Sequence, residues 1–244
     1  MTKKIIALLL LVTTITFAQE KVLLRLKYEK GDSYTLNMKM SQNMGSVMSM
    51  DMNIAMIQDV KSASSTEYTS EMKITKVVMN MVQQGMPMSY DSTKKAEELD
   101  DTGKMMKSQM DPMLKAVITM NVNNLGKVLE SKVEPNIPGI SDLANQSSNV
   151  VYPEKAVAVG DTWTMSKNNK GMDFNFVYKV KSITSKTVLL DVTGKVAGVA
   201  AGDIIGTMNI DKKSGVPTES KIDMKMKLQE QDLKTTINMT MSKN

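Results

Sequence analysis

The chain has 244 residues, and it contains no cysteine and no histidine. Disulfides, thiolate chemistry, histidine general bases and the commonest zinc ligand are therefore excluded. The formal net charge of +5 is small and spread along the chain, and aromatic residues make up only 4%, so the composition does not favour nucleic-acid binding. One residue type is in excess, because the chain has 25 methionines.

Residues 1–18 have the features of a secretory signal peptide. Lys3 and Lys4 precede an apolar stretch at 5–12, and Thr16-Phe17-Ala18 forms a cleavage site of the small-x-small type. The apolar stretch is too short to span a membrane as a helix. We therefore expect an exported chain, periplasmic or secreted, that begins at Gln19 and has no transmembrane segment. The alternative is an ordinary buried N-terminal helix.

Alternating apolar and polar residues predict a series of β-strands. The first predicted strands cover 22–28, 33–41 and 48–56. A fourth strand is predicted over 67–82, where the apolar parity changes after Ile74. A change of parity within one strand indicates a β-bulge or a break.

The only helical pattern lies at about 94–114, where good helix formers and methionines recur at helical spacing. Pro112 limits a continuous helix, so the pattern fits two short helices as well as one. The preceding stretch, 85–93, is predicted to be an edge segment because Pro87 cannot donate a ladder hydrogen bond.

Two hairpins share a sequence pattern that suggests an internal duplication. Both begin with Thr-Met-Asn and a β-branched residue, at 119–122 and at 207–210. Gly126 and Gly215 are predicted to occupy the same left-handed turn position in the two hairpins. Each half of the chain also carries a Gly-Asp pair before a strand, namely Gly31-Asp32 and Gly160-Asp161.

We therefore predict a mainly β protein made of two related antiparallel β units, with curved sheets or an open half-barrel. The first unit covers 19–134 and contains the short helical insert. A loop or linker follows at 135–151, and the second unit covers 152–244. The mature length suits one large β domain or two small ones.

Four glycines recur at intervals of four residues, from Gly194 to Gly206. In an apolar helix this spacing favours membrane dimers, but Lys195 and Asp203 interrupt the stretch. We prefer glycines on one face of a strand or in turns, where they allow close backbone approach.

Methionines at a spacing of two are the candidate functional residues. Such pairs fit an adaptable apolar core or cavity lining, and a surface lined this way would bind a lipid, another apolar small molecule or an envelope protein. The alternative is a thioether site for copper(I) or silver(I). The candidate metal ligands are Met38, Met40, Met50, Met52, Met79 and Met81.

The carboxylates give weaker signals. Asp51 and Asp173 are predicted on the wetter face of their strands, and Asp32 and Asp161 in turns. The acidic stretch 97–101 lacks the alternating oxygen ligands of a calcium loop and fits a solvated helical face. We predict no catalytic residue, no cofactor and no enzymatic activity, and an unrecognised hydrolase is the third alternative after apolar binding and metal binding.

Several stretches together resemble a family of secreted bacterial proteins that has no assigned activity. They are Leu24-Arg25-Leu26-Lys27, Gly31-Asp32-Ser33-Tyr34, 152–163 and the two glycine-turn hairpins. The resemblance covers nearly the whole mature chain, and its motifs are turns and strand starts. It implies an exported β protein, and it assigns no functional residue.

Overall fold

The computed structural model describes residues 20–137, 150–169, 171–228 and 230–244. The predicted signal peptide and most of the predicted linker lie outside these residues. The elements are, in chain order, β1 (Ser33–Met44), β2 (Met48–Ala63), β3 (Glu67–Gln83), β4 (Met86–Asp91), a 3-10 turn (Ala96–Glu98), α1 (Asp101–Lys115), β5 (Val117–Asn123), β6 (Val128–Glu134), β7 (Thr162–Asn169), β8 (Met172–Ile183), β9 (Thr187–Gly198), β10 (Ala201–Asp211), β11 (Pro217–Leu228) and β12 (Gln231–Lys243).

The strands form one open 12-stranded antiparallel sheet in the order β6-β5-β3-β2-β1-β12-β11-β10-β9-β8-β7. Strand β4 lies off this path and pairs only with β3, so the predicted edge segment is confirmed. The mainly β prediction is also confirmed. The two halves of the chain meet where β1 pairs with β12, which we call the seam, and one continuous sheet results. The division into two units stays a prediction.

The seam places sequence-distant residues side by side. Met38 in β1 lies opposite Met239 in β12 and Ile54 in β2. Further along the sheet, the ladder between β2 and β3 shifts register between Ala55 and Met56. This shift confirms the bulge that the change of parity in β3 predicts.

The two glycine-turn hairpins have the predicted turn conformation. Gly126 has a φ of 94° and Gly215 a φ of 69°, and both values lie in the left-handed region that glycine tolerates. The ladders of both hairpins also shift register inside the shared motif, after Asn121 and after Asn209. The common sequence pattern therefore specifies a common local backbone.

Residues 22–28 do not form the predicted sheet strand. The segment is extended, but its only bridge to another described residue joins Val22 to Val157. Its amide groups instead donate to hairpin turns, from Leu26 to the carbonyl of Asn124 and from Lys27 to that of Ser214. Alternate burial arises here because the segment lies over the core, and this produces the same period of two as a ladder strand.

The helical insert is a 3-10 turn followed by one helix that continues through Pro112. Asp100 caps α1, since its side chain accepts a hydrogen bond of 2.7 Å from the amide of Gly103. The helix packs on β3 and β4, where the buried hydroxyl of Tyr90 donates to Asp111 at 2.8 Å. The helix therefore covers one corner of the sheet.

The regularly spaced glycines lie on one face of β9 and β10, as the preferred interpretation predicts. A Cβ atom on Gly194, Gly202 or Gly206 would lie 2.1 to 2.3 Å from a carbonyl oxygen of the next strand. Neighbouring backbone approaches this face so closely that no other residue fits. Glycines at such positions allow a sheet to bend toward the face on which they lie.

Candidate apolar binding surface

Every methionine in the described strands faces the same side of the sheet. The register sets this arrangement, because directly opposed residues in neighbouring strands share a face. We call this side the inner face and the other side the outer face. The strand methionines are Met38, Met40, Met44, Met48, Met50, Met52, Met56, Met72, Met79, Met81, Met86, Met88, Met120, Met165, Met172, Met208, Met224, Met226, Met239 and Met241.

One part of the inner face is a filled core. Met120 and Met208 are only 3% and 2% exposed, and they belong to the same cluster as Leu24 and Leu26 of the extended segment and Tyr152. Methionine acts here as an apolar filler, as the first interpretation of the methionine pairs predicts.

A smaller buried cluster on the same face contains Val196, Ile204 and Met226, and the remaining inner face keeps contact with solvent. We call this part the methionine surface, and it crosses the seam and continues toward β8. Its side chains are all half-buried, so each one offers apolar area that a ligand would remove from water. They are Met38, Met40, Met50, Met52, Met81, Phe174, Phe176, Ile222, Met224, Ile237 and Met239.

The structure brings the six candidate metal ligands together. Met40, Met52 and Met79 lie opposite one another in a row across β1, β2 and β3. The next row contains Met50 and Met81 and continues to Met88 in β4. Directly opposed side chains in neighbouring strands have Cβ atoms about 4.5–5.5 Å apart. Met79 is only 6% exposed and belongs to the core, whereas the other five candidates are half-buried.

At the β7 edge, the inner face carries a lysine that the sequence interpretation does not single out. Lys167 lies directly opposite Phe174 and is half-buried. Desolvation lowers the pKa of its ammonium group. Its alternation with Trp163 and Met165 is the sequence signal that indicates the inner face.

The aspartates that the sequence analysis considers do not lie on the methionine surface. Asp51 and Asp173 are exposed on the outer face, as predicted. Asp32 and Asp161 lie in turns, where they accept hydrogen bonds from the amides of Glu29 and Ala158. No group of three or more Asp or Glu side chains within the described ranges is arranged to hold a metal ion.

The methionine surface is an open face rather than an enclosed cavity. Two cavities lie mostly outside it: one of about 300 Å3 is lined mainly by outer-face residues of β2–β4 and also touches Met81 and Met88, and one of about 640 Å3 lies along 153–162. Among the described residues, no helix is long and apolar enough to cross a bilayer.

Comparison with known proteins shows the fold and no family. No protein-family model matches the sequence, and no curated protein matches it. A solved structure that addresses lipid–protein interactions in lipovitellin is similar, with a TM-score of 0.58 and 7% identity. The match covers 89% of this chain and 25% of the lipovitellin chain, so this chain spans about a quarter of lipovitellin. The likeness shows a shared open antiparallel sheet.

A second solved structure aligns more weakly. The β domain of the Bordetella autotransporter BrkA matches with a TM-score of 0.35 and 7% identity, over 86% of this chain and 98% of that domain. This score is too low to support a common fold. The sheet order and the strand registers define the class of the protein, an open antiparallel β-sheet protein with a methionine-lined face.

Proposed function

We propose that the protein is a non-enzymatic binding protein that holds an apolar ligand, a lipid acyl chain, on the methionine surface. One observation carries this proposal: every strand methionine lies on the inner face, and part of that face is only half-buried. Unbranched thioether side chains repack around ligands of different shape. The fold likeness to lipovitellin, whose solved structure addresses lipid–protein interactions, supports the same proposal.

The test measures lipid binding directly. Mass spectrometry of an organic extract of the purified protein should find bound lipid, and the protein freed of lipid should take up ANS in its native state. We expect the double substitution Met40→Gln and Met52→Gln to weaken binding, because each change keeps the length of the side chain but makes the surface polar. Ile205→Gln is the control, since Ile205 is 54% exposed on the outer face. An empty extract together with no ANS uptake would refute the proposal.

Soft-metal binding is the second candidate function. The rows of methionines across β1–β4 favour it, since three thioether sulfurs on adjacent strands suit copper(I) or silver(I). The double substitution Met40→Leu and Met52→Leu separates the two functions, because leucine keeps the surface apolar and removes the sulfur. Metal binding predicts that this variant loses affinity for copper(I) in an anaerobic titration. No uptake at micromolar copper(I) or silver(I) by the wild-type protein would exclude this candidate.

We further propose that the protein is exported to the periplasm or beyond and belongs with the secreted proteins that it resembles. The signal-peptide features of residues 1–18 support this proposal. Expression of the full chain with a C-terminal tag, followed by cell fractionation, tests the location, and retention of an uncleaved chain in the cytoplasm would contradict it.

An envelope protein with an apolar segment is the other partner that the methionine surface would suit.

The proposed relation between the two units is supported by matching hydrogen bonds. The amide of Gly31 donates to Val60 at 2.9 Å, and that of Gly160 donates to Val180 at 2.8 Å. The ladder shifts register directly after each of these valines. On this proposal, β1, β2, β3, β5 and β6 correspond to β7, β8, β9, β10 and β11.

A further inference from the structure

The inner face of the described strands carries charge at only two positions, Lys167 in β7 and Lys243 in β12. Lys243 is neutralised, because its Nζ atom lies 2.6 Å from the carboxylate of Asp32. Lys167 has no hydrogen-bond or ion-pair partner among the residues that the structure describes. Lys167 is therefore the one unpaired charge on the inner face of the described strands.

The residues next to Lys167 on the inner face of the sheet are apolar. Phe174 lies directly opposite and packs against the cluster formed by Val196 and Ile204, and Met165 is the preceding inner residue of β7. A half-buried ammonium group without a partner carries an unfavourable desolvation cost, which an anion at the same place would offset. The position thus combines an apolar surface with a cation at its edge.

We propose that the ligand of the methionine surface is a single-chain amphiphile, a long-chain fatty acid, and that Lys167 binds its carboxylate. The inference rests on the proposed binding of an acyl chain. The acyl chain would then extend from the β7 edge over Phe176 toward Ile222 in β11. Measured along the sheet, strands β7 and β11 are four strand spacings apart, roughly 19 Å, which a long acyl chain can span.

A different role for Lys167 is protection of the edge. Inward-pointing charges on edge strands prevent sheets from pairing with other chains, and β7 is an edge of this sheet. The two roles differ in what they predict for ligand affinity. Edge protection makes no distinction between charged and uncharged ligands, whereas carboxylate binding does.

The test compares oleate with oleyl alcohol, which has the same chain and no charge. We expect the wild-type protein to bind oleate roughly tenfold more tightly, because one partly buried charge pair contributes to that complex alone. Lys167→Met should remove this preference without weakening the binding of oleyl alcohol. Lys179→Met is the matched control, because Lys179 is exposed on the outer face of β8, and it should keep the preference.

Each other outcome overturns a defined part of the inference. Equal affinity of the wild-type protein for oleate and oleyl alcohol would refute the role of Lys167 and leave acyl binding intact, and this comparison does not depend on whether a variant folds. Binding of neither ligand, and of no phosphatidylglycerol vesicles, would refute both the inference and the proposed function. Binding of phosphatidylglycerol vesicles without binding of oleate would replace the fatty acid with an anionic phospholipid.

Discussion

Lys243 in β12 and Asp32, the residue just before β1, form an ion pair across the seam, with 2.6 Å between Nζ and a carboxylate oxygen. Asp32 also accepts hydrogen bonds from the amide of Glu29 at 3.1 Å and from the hydroxyl of Tyr34 at 3.3 Å. Burial alone would raise the pKa of Asp32, but these contacts outweigh it and lower the pKa below its usual value. The carboxylate therefore stabilises the seam in its charged form.

This relation predicts a pH-dependent effect of Asp32→Asn. A lowered pKa in the folded state contributes stability above the unfolded pKa of about 3.9, and the contribution is lost as the pH falls through the folded pKa. We expect the variant to lower the free energy of unfolding by about 1–2 kcal/mol at pH 7 and by clearly less near pH 3. Urea unfolding at both pH values measures the difference.

The chain contains a matched control for this experiment. Asp161 accepts the same kind of turn hydrogen bond, from the amide of Ala158 at 2.9 Å, but no lysine among the described residues pairs with it. Asp161→Asn should therefore cost less than Asp32→Asn at pH 7. Equal losses would mean that the turn, and not the ion pair across the seam, is responsible.

The close approach of backbone to Gly202 in β10 predicts a large effect of a single methyl group. In Gly202→Ala the new Cβ atom would lie 2.1 Å from the carbonyl oxygen of Lys225, and ladder backbone cannot move away cheaply. We expect a loss of about 3 kcal/mol or more in the free energy of unfolding. Gly45→Ala controls for the loss of glycine at a position with no neighbouring atom within 4 Å. It should cost only about 1–2 kcal/mol, from its left-handed backbone, and similar costs at both sites would contradict the steric argument.

Local features of the fold are predictable from the sequence because their signals are local. Alternation with a period of two predicts β1 and β2, and the change of parity after Ile74 predicts the register shift in β3. The turn glycines Gly126 and Gly215 are predictable because few other residues adopt their backbone conformation. The same signals place the methionines on common faces within each strand.

Other features depend on contacts that no local pattern contains. Thr35 and Asn244 are hydrogen-bonded at 2.6 Å although 209 positions separate them, and nothing near either residue predicts the seam. The alternation in 22–28 predicts a strand wrongly. An extended segment that packs on the core buries every second side chain, and so does a strand paired in a ladder, so the two give the same period of two. Lys167 becomes notable only when the register shows Phe174 as its neighbour.

The contact between α1 and β4 predicts the effect of removing one hydroxyl. Tyr90→Phe deletes the hydrogen bond to the Asp111 carboxylate, and we expect a loss of about 1.5–3 kcal/mol, as is usual for a bond to a charged group. Amide hydrogen exchange should show the largest increase in α1. Tyr178→Phe is the control, because Tyr178 is also a buried tyrosine and its hydroxyl forms no hydrogen bond with a described residue. If both variants lose the same stability, the hydroxyl of Tyr90 does not hold the helix.

The division of the inner face predicts the order in which methionines oxidise. Dilute peroxide should convert Met40 and Met224, which are half-buried, before Met120 and Met208, which the core shields. Sulfoxides are polar, so native ANS or lipid binding should fall as the first group reacts. Peptide mass spectrometry at timed intervals gives the order, and simultaneous oxidation of both groups would contradict a shielded core.

The seam also has a consequence for how the chain folds. Hairpins on either side of it, such as β1 with β2 and β11 with β12, pair residues close in sequence and can form early. The β1–β12 ladder must wait until distant segments meet, so we expect it to form late and to set the folding rate. Until then, two long strands rich in methionine present unpaired edges. The chain is therefore most open to association with other chains just before its two halves join.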